Sequence, residues 1–184
     1  MAGRLRIIAG RWGGRRILVP PGARVRPTAD RVREAWMSIL AADLEGARVL
    51  DLFAGSGALG IEALSRGAAH VTFVESDPRV LRMLRANLDA LGASTEAQGV
   101  RADGLRFLLE TEPEQYDLVF ADPPYGRGLA DATLRAFRTG RAAPILALEH
   151  HRDDAVDPPP HAIRRVYGET VLLFVRNDAT PKEA

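Results

Sequence analysis

The run Val49-Leu-Asp-Leu-Phe-Ala-Gly-Ser-Gly-Ala-Leu-Gly-Ile-Glu-Ala-Leu64 constrains this chain more than any other stretch. Val49, Leu50, Leu52 and Phe53 form a short apolar block, as a parallel strand covered on both faces requires. Gly55, Gly57 and Gly60 follow in the spacing G-x-G-x-x-G. Glycine admits positive φ and lets a ligand approach the main-chain N–H groups that open a helix. Leu59, Ala63 and Leu64 then share one side of that helix. The spacing alone also fits dinucleotide-binding folds and a tight strand-to-helix turn without a ligand. A second residue narrows the choice. His70-Val-Thr-Phe-Val-Glu75 reads as the next strand, and Glu75 lies 20 residues past Gly55, where an acid reaches ribose hydroxyls in open α/β sheets. The pair predicts a nucleoside-containing cofactor at the carboxyl ends of the first two sheet strands.

With 184 residues, 46% of them hydrophobic, the chain suffices for one well-packed domain. It has no cysteine, which excludes disulfides and thiolate metal sites and fits a reducing compartment. No apolar run approaches the roughly 18–20 residues that span a bilayer and no secretory signal is visible, so a soluble, cytoplasmic protein is expected. The net charge of +1 hides an asymmetry. Residues 1–36 hold nine arginines against Asp30 and Glu34, a net of +7, while the remainder nets −6. A basic end on an acidic body fits contact with a polyanion, although Lys182 is the only lysine and arginine is favoured throughout.

Taken in order, Leu5–Ala9 and Arg16–Val19 flank Gly10-Arg-Trp-Gly-Gly14 and read as a hairpin, which must pack on the domain or a partner to be stable. Pro20, Pro21 and Gly22 end it, and Arg24–Thr28 reads as an extended link. A helix starts near Thr28 or Asp30, either of which can cap it. Val32, Ala35, Trp36, Ile39 and Leu40 form its apolar stripe, with Trp36 in the core and Arg31 and Arg33 off the stripe, available to phosphate or to surface pairing with an acid such as Glu34. Asp77-Pro78 starts the helix buried through Leu81, Leu84, Leu88 and Leu91, and Gly92 ends it. Ala97–Ala102 is a third strand. Asp103 then either caps a short helix around Leu105–Glu110 or accepts a hydrogen bond from the cofactor's base. Tyr116–Ala121 and Pro144–Glu149 are the fourth and fifth strands, separated by a helix over Leu129–Phe137. His150, His151, Asp153 and Asp154 resemble a metal cluster only in composition and read as a solvated loop. After the stiff Pro158–Pro160, Ile163–Tyr167 and Thr170–Val175 pair as an antiparallel hairpin across Gly168-Glu169. The expected organisation is a basic arm over 1–27, an α/β domain over 28–176 and a frayed tail over 177–184.

Strands alternating with helices imply a doubly wound sheet, in which the fourth strand ends beside the first. Asp122-Pro-Pro-Tyr125 would then face the glycine turn. Pro123 and Pro124 offer no N–H donor but leave carbonyls as acceptors. A carboxylate with a carbonyl matches the two hydrogens of an exocyclic amine, and an aromatic ring beside them stacks on a flat base. Such acceptors favour a pyramidal nitrogen whose lone pair can attack a methyl sulfonium, with the rate coming mainly from positioning and local electrostatics.

Asp51-x-Phe53-x-Gly55-Ser56-Gly57, Glu75 and Asp122-Pro-Pro-Tyr125, in that order, resemble the S-adenosylmethionine-dependent amino-methyltransferases. Three longer segments sharpen the likeness: Arg6-Ile-Ile-Ala-Gly-Arg-Trp-Gly-Gly-Arg15, Arg26-Pro-Thr-Ala-Asp-Arg-Val-Arg-Glu34, and Ala54 through Gly67. They look like the bacterial small-subunit ribosomal RNA guanine-N2 methyltransferases of the RsmD type, over about Arg4 to Val175. The resemblance implies a Rossmann-like class I methyltransferase fold with a seven-stranded, mostly parallel sheet, a C-terminal antiparallel hairpin and an N-terminal hairpin extension. It implies S-adenosylmethionine as cofactor and ribosomal RNA within a small-subunit particle as substrate, for a monomeric enzyme without a metal. By position, Gly55, Ser56 and Gly57 would lie along the methionine part of the cofactor, with Asp51 near its amino group and Phe53 also among the cofactor-binding residues. Glu75 would hold the ribose, Ser76 beside it would also bind the cofactor, and Asp103 and Gly104 would be near the adenine. Asp122 and the Pro123-Pro124 turn would orient the target amine, with Tyr125 against the base. Arg4, Arg6, Arg11, Arg15, Arg16, Arg26, Arg31 and Arg33 would contact RNA.

Three other readings share part of the pattern. A nicotinamide-dependent oxidoreductase explains the glycine turn and Glu75 but not Asp122-Pro-Pro-Tyr125. An N6-adenine methyltransferase acting on DNA or RNA shares the acceptor motif but normally carries a target-reading segment, for which this chain has no spare residues. A non-catalytic RNA-binding module uses the arginines and has no use for Asp122.

Overall fold

The computed structural model describes residues 3–21 and 27–177. The chain opens on β1 (Gly3–Arg6) and β2 (Arg16–Val19), antiparallel with Arg6 opposite Arg16 and Arg4 opposite Leu18. The first strand is shorter than the expected Leu5–Ala9. Its backbone leaves the ladder because the N–H groups of Ile8 and Ala9 donate to Glu62 at 2.8 and 2.9 Å. A 3-10 turn over Gly10–Trp12 links the two strands. The expected link over Arg24–Thr28, together with Arg24 and Arg26, lies largely outside the described residues, as does nearly all of the expected tail.

Helix α1 (Pro27–Ile39) starts on a proline, whose missing N–H costs nothing at a first helical position. Asp30 therefore sits in the first turn rather than at the cap, and takes a guanidinium N–H of Arg33 at 3.1 Å. Short α2 (Ala41–Leu44) leads into β3 (Arg48–Leu52), α3 (Ala58–Ser65), β4 (His70–Val74), α4 (Pro78–Leu91) and β5 (Ala97–Val100). The second half runs α5 (Gly104–Leu109), β6 (Leu118–Ala121), α6 (Leu129–Gly140), β7 (Ile145–His151), β8 (Ile163–Tyr167) and β9 (Thr170–Arg176).

Seven strands form one sheet in the order β5-β4-β3-β6-β7-β9-β8, in which β9 alone runs opposite to the other six. The chain moves outward from β3 to β5 and returns to β6 on the other side. The order thus reverses between β3 and β6, where ligands bind in open α/β sheets. Sequence reading placed His150 and His151 in a loop. Both instead complete β7, because β9 is long enough to pair with them through Val171 and Thr170.

Apolar side chains cover both faces. Trp36, Phe73, Leu84 and Phe120 belong to one layer, and Leu52, Phe137 and Leu146 to the other. Trp36 is fully buried, edge-on to Phe120 at 5.8 Å and to Phe174 at 6.2 Å, and so serves packing. The arm joins the first layer through Leu5, Ile7, Trp12, Ile17 and Val19, each worth about 1.5–3 kcal/mol when removed from water. That burial is what a two-stranded hairpin lacks alone. Gly10 is required where the arm meets α3: its φ is +78°, and a Cβ would lie 1.8 Å from the Ser65 carbonyl oxygen. No helix among the described residues is long and apolar enough to cross a membrane.

Candidate active site

Parallel register brings the two chemistry-bearing turns together. Leu52 pairs with Ala121, so Phe53–Gly57 and Asp122–Tyr125 leave adjacent strand ends at one level. Asp51 pairs with Phe73, which puts Glu75 level with Phe53 on the other side. The glycine turn is held from both flanks. Glu75 Oε2 accepts the Gly55 N–H at 3.0 Å while its Oε1 accepts that of Asp77 at 2.7 Å. Ser76 is exposed, with its hydroxyl 3.5 Å from the same Glu75 oxygen. Asp51 Oδ2 accepts the Gly60 N–H at 2.9 Å, at the start of α3. Gly57 has φ +85°, and a Cβ there would approach a Leu84 methyl to 2.9 Å, so both backbone shape and α4 demand glycine.

Phe53 adopts φ +58°, a left-handed conformation that costs a bulky residue about 1–3 kcal/mol and clusters at functional sites. Its ring packs on Gly104, where a Cβ would come within 3.0 Å of it. Asp103 caps α5 by accepting the Arg106 N–H at 2.9 Å, the first of the two roles left open for it.

Burial pushes the Asp51 carboxyl up to about 7; the Gly60 N–H pulls it down and the Glu75 charge adds to the rise. Each carboxylate has about four lone-pair positions, so neither Asp51 nor Glu75 is saturated by these bonds. The two acids, Asp51 and Glu75, thus flank the glycine turn, with the Phe53 ring and Gly104 in contact beside it.

In the Asp122–Tyr125 turn Asp122 and Pro124 are exposed, Pro123 is buried and Tyr125 is half-buried. The Tyr125 hydroxyl donates to Glu149 Oε1 at 2.5 Å and lies 3.3 Å from the Thr170 hydroxyl. Its ring is 5.6 Å from that of His151. Asp154 accepts the N–H groups of both Gly126 and His151 at 3.0 Å, tying the loop to the end of β7. Burial, with the neighbouring Glu149 charge, raises the Tyr125 hydroxyl above its ordinary range and keeps it a donor. Sequence reasoning missed Glu149, Thr170 and Asp154. Only Glu149 carried a signal, as the polar residue ending an apolar strand on the ligand side of the sheet.

The arginines divide. Arg4, Arg6 and Arg16 project from the outer face of the hairpin, and Arg31 is exposed on α1. Arg11 stacks on Trp12 at 4.0 Å and pairs with Glu96, while Arg15 donates to the Ala90 carbonyl at 2.6 Å. Arg33 is not on the surface. It is 6% exposed, donates to the Arg6 carbonyl at 2.7 Å and lies 3.8 Å from Glu62, because α1 turns it inward under the arm. Arg26 lies outside the described residues.

The family described as Conserved hypothetical protein 95 matches residues 5–176. Ribosomal RNA small subunit methyltransferase D of Escherichia coli strain K12 is 45% identical over 133 residues, which cover 72% of this chain and 66% of that protein. The match therefore spans just under two thirds of the curated relative. The solved structure of yhhF from Escherichia coli shares 36% identity at a TM-score of 0.84, covering 96% of this chain and 99% of that one. The Thermus thermophilus 16S rRNA N2 G1207 methyltransferase, in complex with AdoMet and guanosine, shares 25% identity at a TM-score of 0.71, over 96% of this chain and 50% of that one.

Proposed function

This chain belongs to the RsmD-like family of S-adenosylmethionine-dependent methyltransferases, with their Rossmann-like class I fold, and on that premise we propose that it methylates the exocyclic N2 of a guanine in small-subunit ribosomal RNA. The observation that carries the reading is the Leu52–Ala121 register, which sets the glycine turn beside Asp122-Pro-Pro-Tyr125.

S-adenosylmethionine supplies a sulfonium-bound methyl group when bound. Asp51 and Glu75 hold its amino group and ribose, and Phe53 and Gly104 flank the adenine. Asp122 and the Pro123 carbonyl each accept one hydrogen of the guanine amine, aiming its lone pair at the methyl. Tyr125 stacks on the base. With S-adenosylmethionine bound, the N–C bond would form as the C–S bond breaks, sulfur keeping the electron pair. The methylated nitrogen is acidic and releases its proton without a strong base. Positioning and preorganised acceptors supply most of the rate.

Arg6 and Arg16 stand directly opposite on the arm's outer face, with Arg4 on the same side. Like charges in that position repel, and phosphate would relieve the repulsion. This supports the arm as an RNA contact. The kinship to an N2 methyltransferase solved with guanosine supports the acceptor. The resemblance to ribosomal RNA enzymes supports a substrate presented on a small-subunit particle.

The test is transfer of a labelled methyl group from S-adenosylmethionine to small-subunit RNA, naked and in particles, followed by nucleoside analysis. N2-methylguanosine at one position is expected. N6-methyladenosine, or no transfer to either substrate, would overturn the assignment.

A further inference from the structure

Asn87 lies on α4, 3% exposed, between the arm and the glycine turn. Its side-chain oxygen accepts the Leu18 N–H at 2.8 Å and its amide nitrogen donates to the Leu18 carbonyl at 2.9 Å. The same nitrogen donates to the Ser56 carbonyl at 3.1 Å. The two bonds to Leu18 fix which end of the amide is which, because only one orientation satisfies both a donor and an acceptor. Leu18 sits on β2 opposite Arg4, two residues after Arg16. Ser56 lies between Gly55 and Gly57 in the turn, and Leu84, one helical turn before Asn87, packs under Gly57.

We propose that Asn87 is a positioning residue that sets the cofactor turn by reference to the arm, so that RNA on the arm and S-adenosylmethionine in the turn bind with linked affinities. The proposal rests on the reading of the turn as the cofactor site and of the arm as an RNA contact. A phosphate drawn to Arg4 or Arg16 acts within two residues of the Leu18 backbone. Any displacement of that backbone must carry Asn87, and with it the bond to Ser56, or break one of the two bonds between Asn87 and Leu18. A ligand that immobilises either end lowers the ordering cost of the other, which is positive coupling.

Hydrogen exchange on the full chain, with S-adenosylhomocysteine as the probe, reads both ends at once. Protection over residues 53–58 reports cofactor binding, and protection over residues 17–19 reports the link, with 163–167 on β8 as the internal control. Protection at both ends, exceeding that of the control, is expected. Protection of the turn with β2 unchanged from the control would overturn the proposal while leaving the cofactor assignment standing. No protection at either end would remove the cofactor assignment, and the proposal with it. Asn87→Leu keeps the approximate size and deletes all three bonds. It should raise the KM for S-adenosylmethionine at least about fivefold, a small allosteric coupling, with kcat within about twofold. Small-subunit RNA should tighten S-adenosylhomocysteine binding to the parent protein, and Asn87→Leu should abolish that tightening. A lowered melting temperature with KM and RNA linkage both unchanged would mark Asn87 as merely structural and overturn the proposal.

Discussion

The Tyr125 hydroxyl donates a 2.5 Å hydrogen bond to Glu149, so the ring beside the acceptor loop is oriented by the end of β7, one strand further along the sheet. The ring and the hydroxyl therefore do separable work. Tyr125→Phe keeps the stacking surface and should cost about two- to threefold in kcat/KM, the low end of one hydrogen bond's net worth. Tyr125→Ala should cost about 100-fold, within the 1–3 kcal/mol range of base–aromatic stacking. Steady-state kinetics on small-subunit RNA separates the two. Equal losses in both variants would deny the ring a role.

Asp51 gives a pH dependence of known sign. Its carboxyl sits at about 7 in the folded chain, raised chiefly by burial. A raised carboxyl favours the folded state below the ordinary carboxylate range, and that contribution is lost as pH rises through 7. The free protein should therefore lose stability between pH 4 and about 7, and Asp51→Asn should flatten that decline in thermal melts. Cofactor binding runs the other way, because a cationic amino group needs the ionised form. Affinity for S-adenosylmethionine should rise about tenfold between pH 6 and pH 8, one titration's worth, and the asparagine variant should remove the rise.

Arg4, Arg6 and Arg16 should set the salt dependence of RNA binding. Replacing all three with alanine should reduce the slope of log affinity against log salt by about 2–3, at roughly 0.7–0.9 per phosphate contact. Arg33→Ala should lower the melting temperature and leave the slope unchanged, since that guanidinium is buried against Asp30 and the Arg6 carbonyl. A slope unaltered by the triple replacement would remove the arm as the RNA contact.

Glu62 holds the arm to α3. It is 1% exposed, accepts the N–H groups of Ile8 and Ala9, and pairs with Arg66 at 2.9 Å. Glu62→Ala would strand those donors and should cost about 3–5 kcal/mol, as for a broken buried ion pair. Thermal melts measure the loss, and limited proteolysis should show cleavage near residues 8–15 before the rest of the chain. Uniform cleavage would mean that the arm is held elsewhere.

What was legible in the sequence followed local periodicity and the order of motifs. The strand–turn–helix over Val49–Leu64, the Asp77-Pro78 helix start and the C-terminal hairpin each announce themselves within a few residues, and alternation of strands and helices then fixes which turns meet. What stayed hidden depends on partners far away in the chain. Helical spacing put Arg33 off the apolar stripe, yet the arm folds over it and makes it interior. Asn87 looked like any polar residue between leucines, because Leu18 and Ser56 lie 69 and 31 positions away. His150 and His151 lost their expected loop to a β9 partner that hydropathy alone does not align.

Asp122→Ala, assayed in parallel for S-adenosylmethionine binding by calorimetry and for methyl transfer to small-subunit RNA, tests the central claim most directly. Loss of an acceptor aimed at the reacting amine should reduce transfer at least about 100-fold, the scale of one preorganised hydrogen-bonding group, with cofactor affinity unchanged. Full transfer by that variant would contradict the account.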